Sequence, residues 1–288
     1  MMSATRSSST YTQLNRSLNN LEVIRKMSIN NEDWGTYLAA TTLRAFTYQV
    51  LVDCYGEVPY TEALDTNNPT PAYDEGSTVY NGILAELDEA LSKVSGNETV
   101  ATSFLYPSSL ANKWIQFANA LKLRILMRMS NVENVQAQLA SLIAEDNFPT
   151  DDVCFADCWA DEAGKANPFF WEELSTKSGT QKNVTLNIAL LKTMEDYGDA
   201  RLGAFFSKNS SGAFTGGVSG TNFSLSSSYQ AAYWSRPTGS YDSPVYLISV
   251  AETNFFLAEY EARYGSASKA EAYYKAAIEA SFATAGVE

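Results

Sequence analysis

Histidine is missing from this sequence of 288 residues, and cysteine is scarce. Histidine is the usual general base near neutral pH and a common metal ligand, so its absence excludes Ser-His-Asp systems, Cys-His systems and His-ligated metals. The three cysteines, Cys54, Cys154 and Cys158, are too few to complete a zinc site of the usual four-ligand kind. Enzymes and metalloproteins that depend on these residues are therefore excluded.

The cysteine positions leave the pairing of Cys154 and Cys158 open and predict that Cys54 is buried in the core. Cys154 and Cys158 are four residues apart, which would make them neighbours on a helix. They can be interpreted either as a disulfide or as two buried thiols. Cys54 lies beside an apolar run, and we therefore predict that it belongs to the core.

Basic residues and long hydrophobic runs are also scarce. Lys and Arg number 20 against 33 Asp and Glu, which gives a formal net charge of −13. Nucleic acids and anionic lipids are bound by clustered cations, so neither is an expected partner. No run approaches the ~18 apolar residues of a membrane-spanning helix, and the start, MMSATRSSSTYTQL, lacks the apolar segment of a signal peptide. The chain is expected to be either cytosolic or without its native beginning.

Helical periodicity dominates what is present, and a hydrophobic content of 45% supports a substantial core. Apolar residues recur every three to four positions near 14–28, 33–55, 79–94, 110–129, 132–145, 184–197, 245–264 and 268–283. The last two segments are predicted to form a hairpin around Gly265. Their small and large residues follow the pattern of a tetratricopeptide pair, in which Tyr274 would fill a groove. We therefore predict a mainly α fold of tetratricopeptide-like helical hairpins with a long irregular loop region.

An abrupt helix exit is predicted at the stretch YGEVPY. Gly56 can adopt the left-handed conformation that ends a helix, and Pro59 cannot continue one. We interpret Asp53, Glu57 and Tyr60 as the residues that hold this exit in place, and not as ligand contacts.

Two further stretches lack regular periodicity. Residues 207–244 are rich in Ser and Gly and are predicted to be a loop-rich insertion within a single domain spanning 1–288. The acidic run DDVCFADCWADEAG, at 151–164, is either a calcium site or a solvated acidic loop. It lacks the spacing of an EF-hand.

Four segments occur in an order that is typical of one protein family. They are LRAFTYQVLVDCYGEVPYTEAL (43–64), LANKWIQFANALKLRILMRMS (110–130), ANPFFWEEL with YGDARLGAFF (166–174 and 197–206) and PVYLISVAETNFFLAEYEARYG (244–265). Together they resemble the SusD/RagB family of Bacteroidetes outer-membrane lipoproteins, and more closely its SusD-like type 2 branch. The chain departs from the family at Ala200, where Asp-Pro-Arg is usual. It also lacks the lipoprotein signal and the C-terminal region, so it resembles an internal fragment or a truncated member.

The resemblance implies a SusD-like α/α superhelix and a non-catalytic subunit that binds oligosaccharide. Such a subunit would deliver nutrient to a SusC-like TonB-dependent transporter of the bacterial outer membrane. It would be held at the cell surface by a lipid anchor outside this chain. No cofactor or metal is implied. The alternatives are a peptide-binding or protein–protein interaction module built on helical repeats and, less compatible with the scaffold, a glycosidase using a carboxylate pair such as Glu172-Glu173.

The candidate glycan site is chosen for the chemistry that such a ligand needs. Aromatic rings stack on the C–H face of a sugar, while amide, carboxylate and guanidinium groups bind its hydroxyls. Aromatic and polar side chains of the irregular regions fit this role, and the predicted ligand-binding residues are Tyr233, Trp234, Arg236, Trp171, Trp159 and Asn167. The alternative is that these rings cap the core beneath the loops.

Overall fold

A computed structural model describes residues 4–65, 67–101, 103–106, 110–177, 184–219 and 233–287. The chain divides into two compact units: unit 1 is Met1–Asp151 with Phe255–Ala270, and unit 2 is Asp152–Asn254 with Glu271–Glu288. Compactness alone does not decide how many parts fold independently, so the single domain over 1–288 stays a prediction.

Helices dominate the described residues, which confirms the mainly α fold. They are α1 (Ala4–Asn30), α2 (Trp34–Tyr55), α3 (Gly76–Leu91), α4 (Ala111–Met129), α5 (Gln136–Ala144), a π-helix (Phe170–Leu174), α6 (Ile188–Asp196), α7 (Leu202–Phe205), α8 (Val250–Tyr264) and α9 (Ala267–Ala285). The strands are β1 (Val153–Phe155), β2 (Phe206–Ser207), β3 (Arg236–Pro237) and β4 (Val245–Ile248). They form two antiparallel pairs, β1 with β4 and β2 with β3. No helix among these residues combines the length and hydrophobicity needed to cross a bilayer.

The core of unit 1 is built around α2 and α4. Most residues of α2 are buried, and this helix packs against α1, α3 and α4. The apolar stripe of α4 supplies large side chains with no exposed surface, among them Trp114 and Phe117. Since burying a large aromatic side chain removes roughly 150–250 Å² from water, this stripe is a major source of stability.

The helix exit at YGEVPY has the geometry that its sequence predicts. Gly56 has φ of +77°, and its N–H donates to the carbonyl of Val52 at 2.8 Å, closing the helix. After the turn, Val58 and Asp74 exchange two backbone hydrogen bonds, of 3.2 and 3.0 Å. The chain therefore leaves α2 through a short, fixed bridge.

Two of the three residues predicted to hold this exit do so. The Asp53 carboxylate accepts from Arg128 at 2.9 Å, and also from Tyr80. The Tyr60 hydroxyl donates to Glu86 at 2.6 Å. The third residue, Glu57, is exposed.

Three details of the fold differ from the predictions. Cys54 is exposed and not part of the core, because it lies with the exposed Asp53 in the last turn of α2, beyond the last buried residue of this helix, Val52. Val245–Ile248 is strand β4 and not the first turn of a helix, since it pairs with β1. Tyr274 is exposed, so it does not fill a groove.

All three cysteines are free thiols, so the disulfide interpretation of Cys154 and Cys158 is wrong, and the interpretation as two buried thiols is not confirmed because neither is fully buried. Both of these thiols are partly exposed. Desolvation raises the pKa of each, which keeps them protonated at neutral pH.

Candidate functional site

The π-helix of unit 2 carries Trp171, and Asn167 fixes its start. The Asn167 Oδ1 accepts from the N–H of Phe170 at 2.9 Å, while its Nδ2 donates to the carbonyl of Ser243 at 2.8 Å. The backbone N–H of Asn167 donates to the carbonyl of Tyr241 at 2.7 Å. Asn167 is only 4% exposed, so it acts as an anchor that ties the π-helix to a distant loop. Isolated π turns are frequent at functional sites.

Arg236 ties the other end of the π-helix to β3. Its Nη2 donates to the carbonyl of Glu173 at 2.6 Å and lies 4.0 Å from the Glu173 carboxylate. Burial lowers the pKa of Arg236, and the charge of Glu173 opposes that shift. Its buried Nη1 has no hydrogen-bond partner among the described residues. The guanidinium therefore acts as a brace beneath the surface.

Tyr233 presents its ring to solvent from a well-held backbone. The side chain is 53% exposed, and its carbonyl accepts from Asn209 Nδ2 at 3.3 Å and from the Thr215 hydroxyl. The buried Ser235 exchanges hydrogen bonds of 3.0 and 3.1 Å with the backbone of Thr215. The neighbouring Trp234 is half-buried. An exposed aromatic ring on a fixed backbone is suited to stacking on a ligand.

Trp159 lies in a separate loop of the same unit. The ring is half-buried, and its Nε1 donates to the carbonyl of Phe155 at 3.0 Å. An ion pair between Asp161 and Lys177 ties this loop to the segment that follows the π-helix. The loop is thus connected to the rest of the candidate site through charged side chains and not through Trp159 itself.

The structure joins five of the six predicted residues into one hydrogen-bonded assembly. Asn167 and Arg236 hold the two ends of the helix that carries Trp171, and Tyr233 and Trp234 precede Arg236 in the chain. Whether any of the six touches a ligand stays a prediction. Residues 178–183 and 220–232, which include part of the predicted 207–244 insertion, lie outside the described residues.

Sequence reasoning missed the residues that brace this assembly. The sequence marks Glu173 only as part of a carboxylate pair, yet its backbone carbonyl accepts a hydrogen bond from the guanidinium of Arg236. Thr215 and Ser235 hold the backbone beside Tyr233. A backbone carbonyl and a small hydroxyl carry no signal in sequence that would mark them for these roles.

The acidic run gives no support to the calcium alternative. Asp151 forms an ion pair with Lys113 at 3.0 Å, which lowers the pKa of that carboxyl group. The two oxygens of Asp152 accept from the N–H of Val250 at 2.7 Å and from the Thr284 hydroxyl at 2.8 Å. In the described part of the chain, no three acidic or cysteine side chains converge as metal ligands would.

Comparisons with known proteins agree with this architecture. A family model described as "Starch-binding associating with outer membrane" matches residues 1–285. No curated protein matches the sequence. Several solved structures do, and at identities below 25% this likeness concerns the fold.

Three of these structures illustrate the match. A SusD homolog from Bacteroides uniformis ATCC 8492 is 24% identical with a TM-score of 0.83, covering 96% of this chain and 58% of its own. A chitin-binding SusD homolog from Flavobacterium johnsoniae is 23% identical with a TM-score of 0.78, covering 94% and 57%. A SusD homolog from Bacteroides fragilis NCTC 9343 is 21% identical with a TM-score of 0.77, covering 93% and 62%. The present chain spans less than two thirds of the length of each.

Proposed function

Since this chain belongs to the SusD-like family, we propose that it is a glycan-binding subunit of a nutrient-uptake system at the bacterial outer membrane. It binds an oligosaccharide without catalysis and delivers it to a SusC-like TonB-dependent transporter. The full-length protein is held at the cell surface by a lipid anchor. The family description as starch-binding and associated with the outer membrane supports this role.

The observation that carries the proposal is the set of hydrogen bonds that holds the segments carrying Tyr233, Trp234 and Trp171 in unit 2. Tyr233 exposes its ring from a backbone that Thr215 and Ser235 hold, and Arg236 links that segment to the π-helix of Trp171. Rings that are fixed before binding lose little conformational entropy when a sugar stacks on them. We therefore assign stacking to Tyr233, Trp234 and Trp171.

The remaining predicted residues take two different roles in the proposal. Asn167 and Arg236 are buried and serve as supports that position the rings. Trp159 lies in its own loop and is proposed as a further stacking residue. A glycosidase role gains no observation in its favour, and the Glu173 side chain of the proposed carboxylate pair already faces Arg236.

Isothermal titration with chitohexaose and with maltohexaose tests this assignment. Tyr233→Ala is expected to weaken binding of the better ligand about three- to tenfold, the loss of one stacked ring. Tyr197→Ala is the matched control, because Tyr197 is 85% exposed in the same unit and lies outside the site. Equal losses in the two variants would contradict the site.

The same titration distinguishes glycan binding from the alternative function, peptide binding. Saturable binding of a mixed oligopeptide library in the absence of oligosaccharide binding would favour a peptide-binding module. Release of reducing ends from either hexaose on prolonged incubation would contradict the non-catalytic role.

A further inference from the structure

Three stretches of unit 2 that are distant in the chain are joined to one another by backbone hydrogen bonds. They are residues 186–188, 215–217 and 233–235. The N–H of Leu186 donates to the carbonyl of Ser235 at 2.8 Å, and the carbonyl of Leu186 accepts from the N–H of Gly217 at 2.7 Å. The N–H of Ser235 donates to the carbonyl of Thr215 at 3.0 Å, so each stretch is bonded to the other two. We call this arrangement the three-segment junction.

The three-segment junction carries the backbone of Tyr233. Leu186 and Ser235 have no exposed surface, so breaking a bond of the junction would leave a buried backbone group unpaired. The Tyr233 carbonyl accepts from the hydroxyl of Thr215, and the Ser235 hydroxyl accepts from the N–H of Thr215 at 3.1 Å. The position of Thr215 therefore fixes the backbone from which the exposed Tyr233 ring projects.

Gly216 lies where this junction meets the start of α6. A Cβ atom at position 216 would lie 2.6 Å from both the N and the Cα of Ile188, and 2.9 Å from the carbonyl carbon of Asn187. Asn187 caps α6, because its Oδ1 accepts from the N–H of Ala189 at 2.7 Å. The atoms that a Cβ would meet are thus main-chain atoms of a capped helix start, and they cannot turn aside as the end of a flexible side chain could.

Glycine is required at 216 by space and not by backbone conformation, since the φ of Gly216 lies outside the left-handed region. The next residue, Gly217, differs in this respect. A Cβ atom there would meet the Thr185 Oγ1 at 3.4 Å and the Leu186 carbonyl oxygen at 3.9 Å, which are ordinary contact distances. Alanine at 217 would also keep the backbone N–H and carbonyl that bond to Leu186 and Ile188. A methyl group can therefore be added at 217 but not at 216.

From this geometry we propose that Gly216 is a positioning residue for the candidate glycan site. Its lack of a side chain lets residues 215–217 close against the start of α6, and Thr215 then holds Tyr233 in the place from which the ring stacks on a ligand. That ligand is the oligosaccharide of the proposed function, on which this role in binding rests. A side chain at 216 moves the 215–217 segment away from α6 and displaces the ring.

The position of the Tyr233 ring can be followed without any ligand. In a ¹³C-correlated NMR spectrum of protein labelled at its tyrosine rings, the Tyr233 signal is identified by its loss in Tyr233→Phe. Gly216→Ala is expected to shift this signal, because the segment that holds the ring has to move. Gly217→Ala is the matched control and is expected to leave the signal in place. The same Tyr233 signal in both glycine variants overturns the proposal.

A double-mutant cycle measures what the displacement does to binding. In isothermal titration with chitohexaose and with maltohexaose, Gly216→Ala is expected to weaken binding of the better ligand about three- to tenfold, the loss expected for the Tyr233 ring itself. In a Tyr233→Ala background the same substitution is expected to cause no further loss. Equal losses in the two backgrounds overturn the positioning role, because a general disturbance of the fold does not depend on Tyr233.

The two measurements distinguish failure of this inference from failure of the proposed function. A shifted ring signal with unchanged affinity supports placement of the ring by Gly216 and contradicts stacking by Tyr233. If the parent protein binds neither hexaose, the proposed function is wrong, and the ring signal alone then decides whether Gly216 places Tyr233.

A second pair of variants keeps the proposal testable if Gly216→Ala does not fold. Thr215→Val removes the hydroxyl that donates to the Tyr233 carbonyl and keeps the shape of the side chain, so it is expected to shift the Tyr233 signal as well. Thr193→Val is the control, since the Thr193 hydroxyl also donates to a backbone carbonyl, that of Ala189 at 3.0 Å, but within α6. The same Tyr233 signal in both threonine variants overturns the link from the junction to the ring.

Discussion

Unit 1 and unit 2 differ in the contacts that stabilise each of them internally. Unit 1 has long helices whose apolar stripes bury rings such as Trp114 and Phe117 completely. Among the described residues of unit 2 the strands are two to four residues long, and side chains that bond to distant backbone groups, notably Asn167 and Arg236, fix the loops. Unit 1 is thus distinguished by its long buried helical stripes, and unit 2 by polar anchors that hold its short strands and loops.

The largest effect is expected from emptying the core of unit 1. Trp114→Ala is expected to lower the free energy of unfolding by about 3–5 kcal/mol, because it leaves a large cavity in a tightly packed stripe. Urea denaturation followed by circular dichroism measures this loss. Trp171→Ala in unit 2 is the comparison, since that ring is partly exposed and is expected to cost much less. Equal costs would remove the proposed difference between the units.

An intermediate effect is expected from removing a polar anchor of unit 2. Asn167→Ala loses the bond to the Ser243 carbonyl and leaves the N–H of Phe170 without its acceptor. A buried group left unpaired costs about 1–3 kcal/mol. The same urea titration measures the loss, with Asn97→Ala, an exposed residue, as a control that is expected to stay within about 0.5 kcal/mol of the parent. If Asn167→Ala leaves the free energy of unfolding unchanged, the loops are held by packing and not by this anchor.

The smallest effect concerns a polar turn within unit 1. The Glu98 carboxylate accepts from the N–H and hydroxyl of Ser95, each at 2.8 Å, and from the N–H of Gly96 at 2.9 Å. These hydrogen bonds lower the pKa of Glu98 to about 2, from an ordinary value of 4.5. Because the folded pKa is the lower one, the ionised group stabilises the fold above pH 4.5, and this contribution is lost as the pH falls towards 2.

Glu98→Gln tests this dependence through melting temperatures. The parent is expected to melt slightly higher than the variant at neutral pH, and the difference is expected to shrink steadily between pH 4.5 and pH 2. Glu57→Gln, at an exposed position of the same unit, is the control. A gap that stays constant over this range would show that the carboxylate does not cap the turn.

The sequence predicts the helices of unit 1 well, because burial on one face of a helix leaves a periodic pattern. Its failures have physical reasons. Helix α1 begins at Ala4 and not near residue 14, since the segment ATRSSSTYTQ (4–13) offers too few apolar residues for a periodic pattern. From the sequence alone, the residues of strand β4 are predicted to be the start of α8, because a four-residue apolar run is compatible with either a strand or a helix.

The candidate site could be predicted only in part. Aromatic residues in irregular segments mark Tyr233 and Trp171 as candidates, and the structure holds both in the same braced assembly. The roles of Asn167 and Arg236 depend on partners 76 and 63 positions away in the chain. A single sequence does not specify such pairings, so a support and a ligand contact look alike in it.

Gly82 and Tyr60 make two distant positions of the chain interdependent. Any side chain at 82 would overlap the ring at 60, whose hydroxyl reaches Glu86 one turn further along the same helix. With the Tyr60 ring in this position only glycine fits at 82, so a larger residue at 82 has to be accompanied by a shift of the ring or by a smaller residue at 60. Among homologous sequences, this pair is expected to vary together, and a chain that keeps the tyrosine with a bulky residue at 82 would have to form its helix exit in another way.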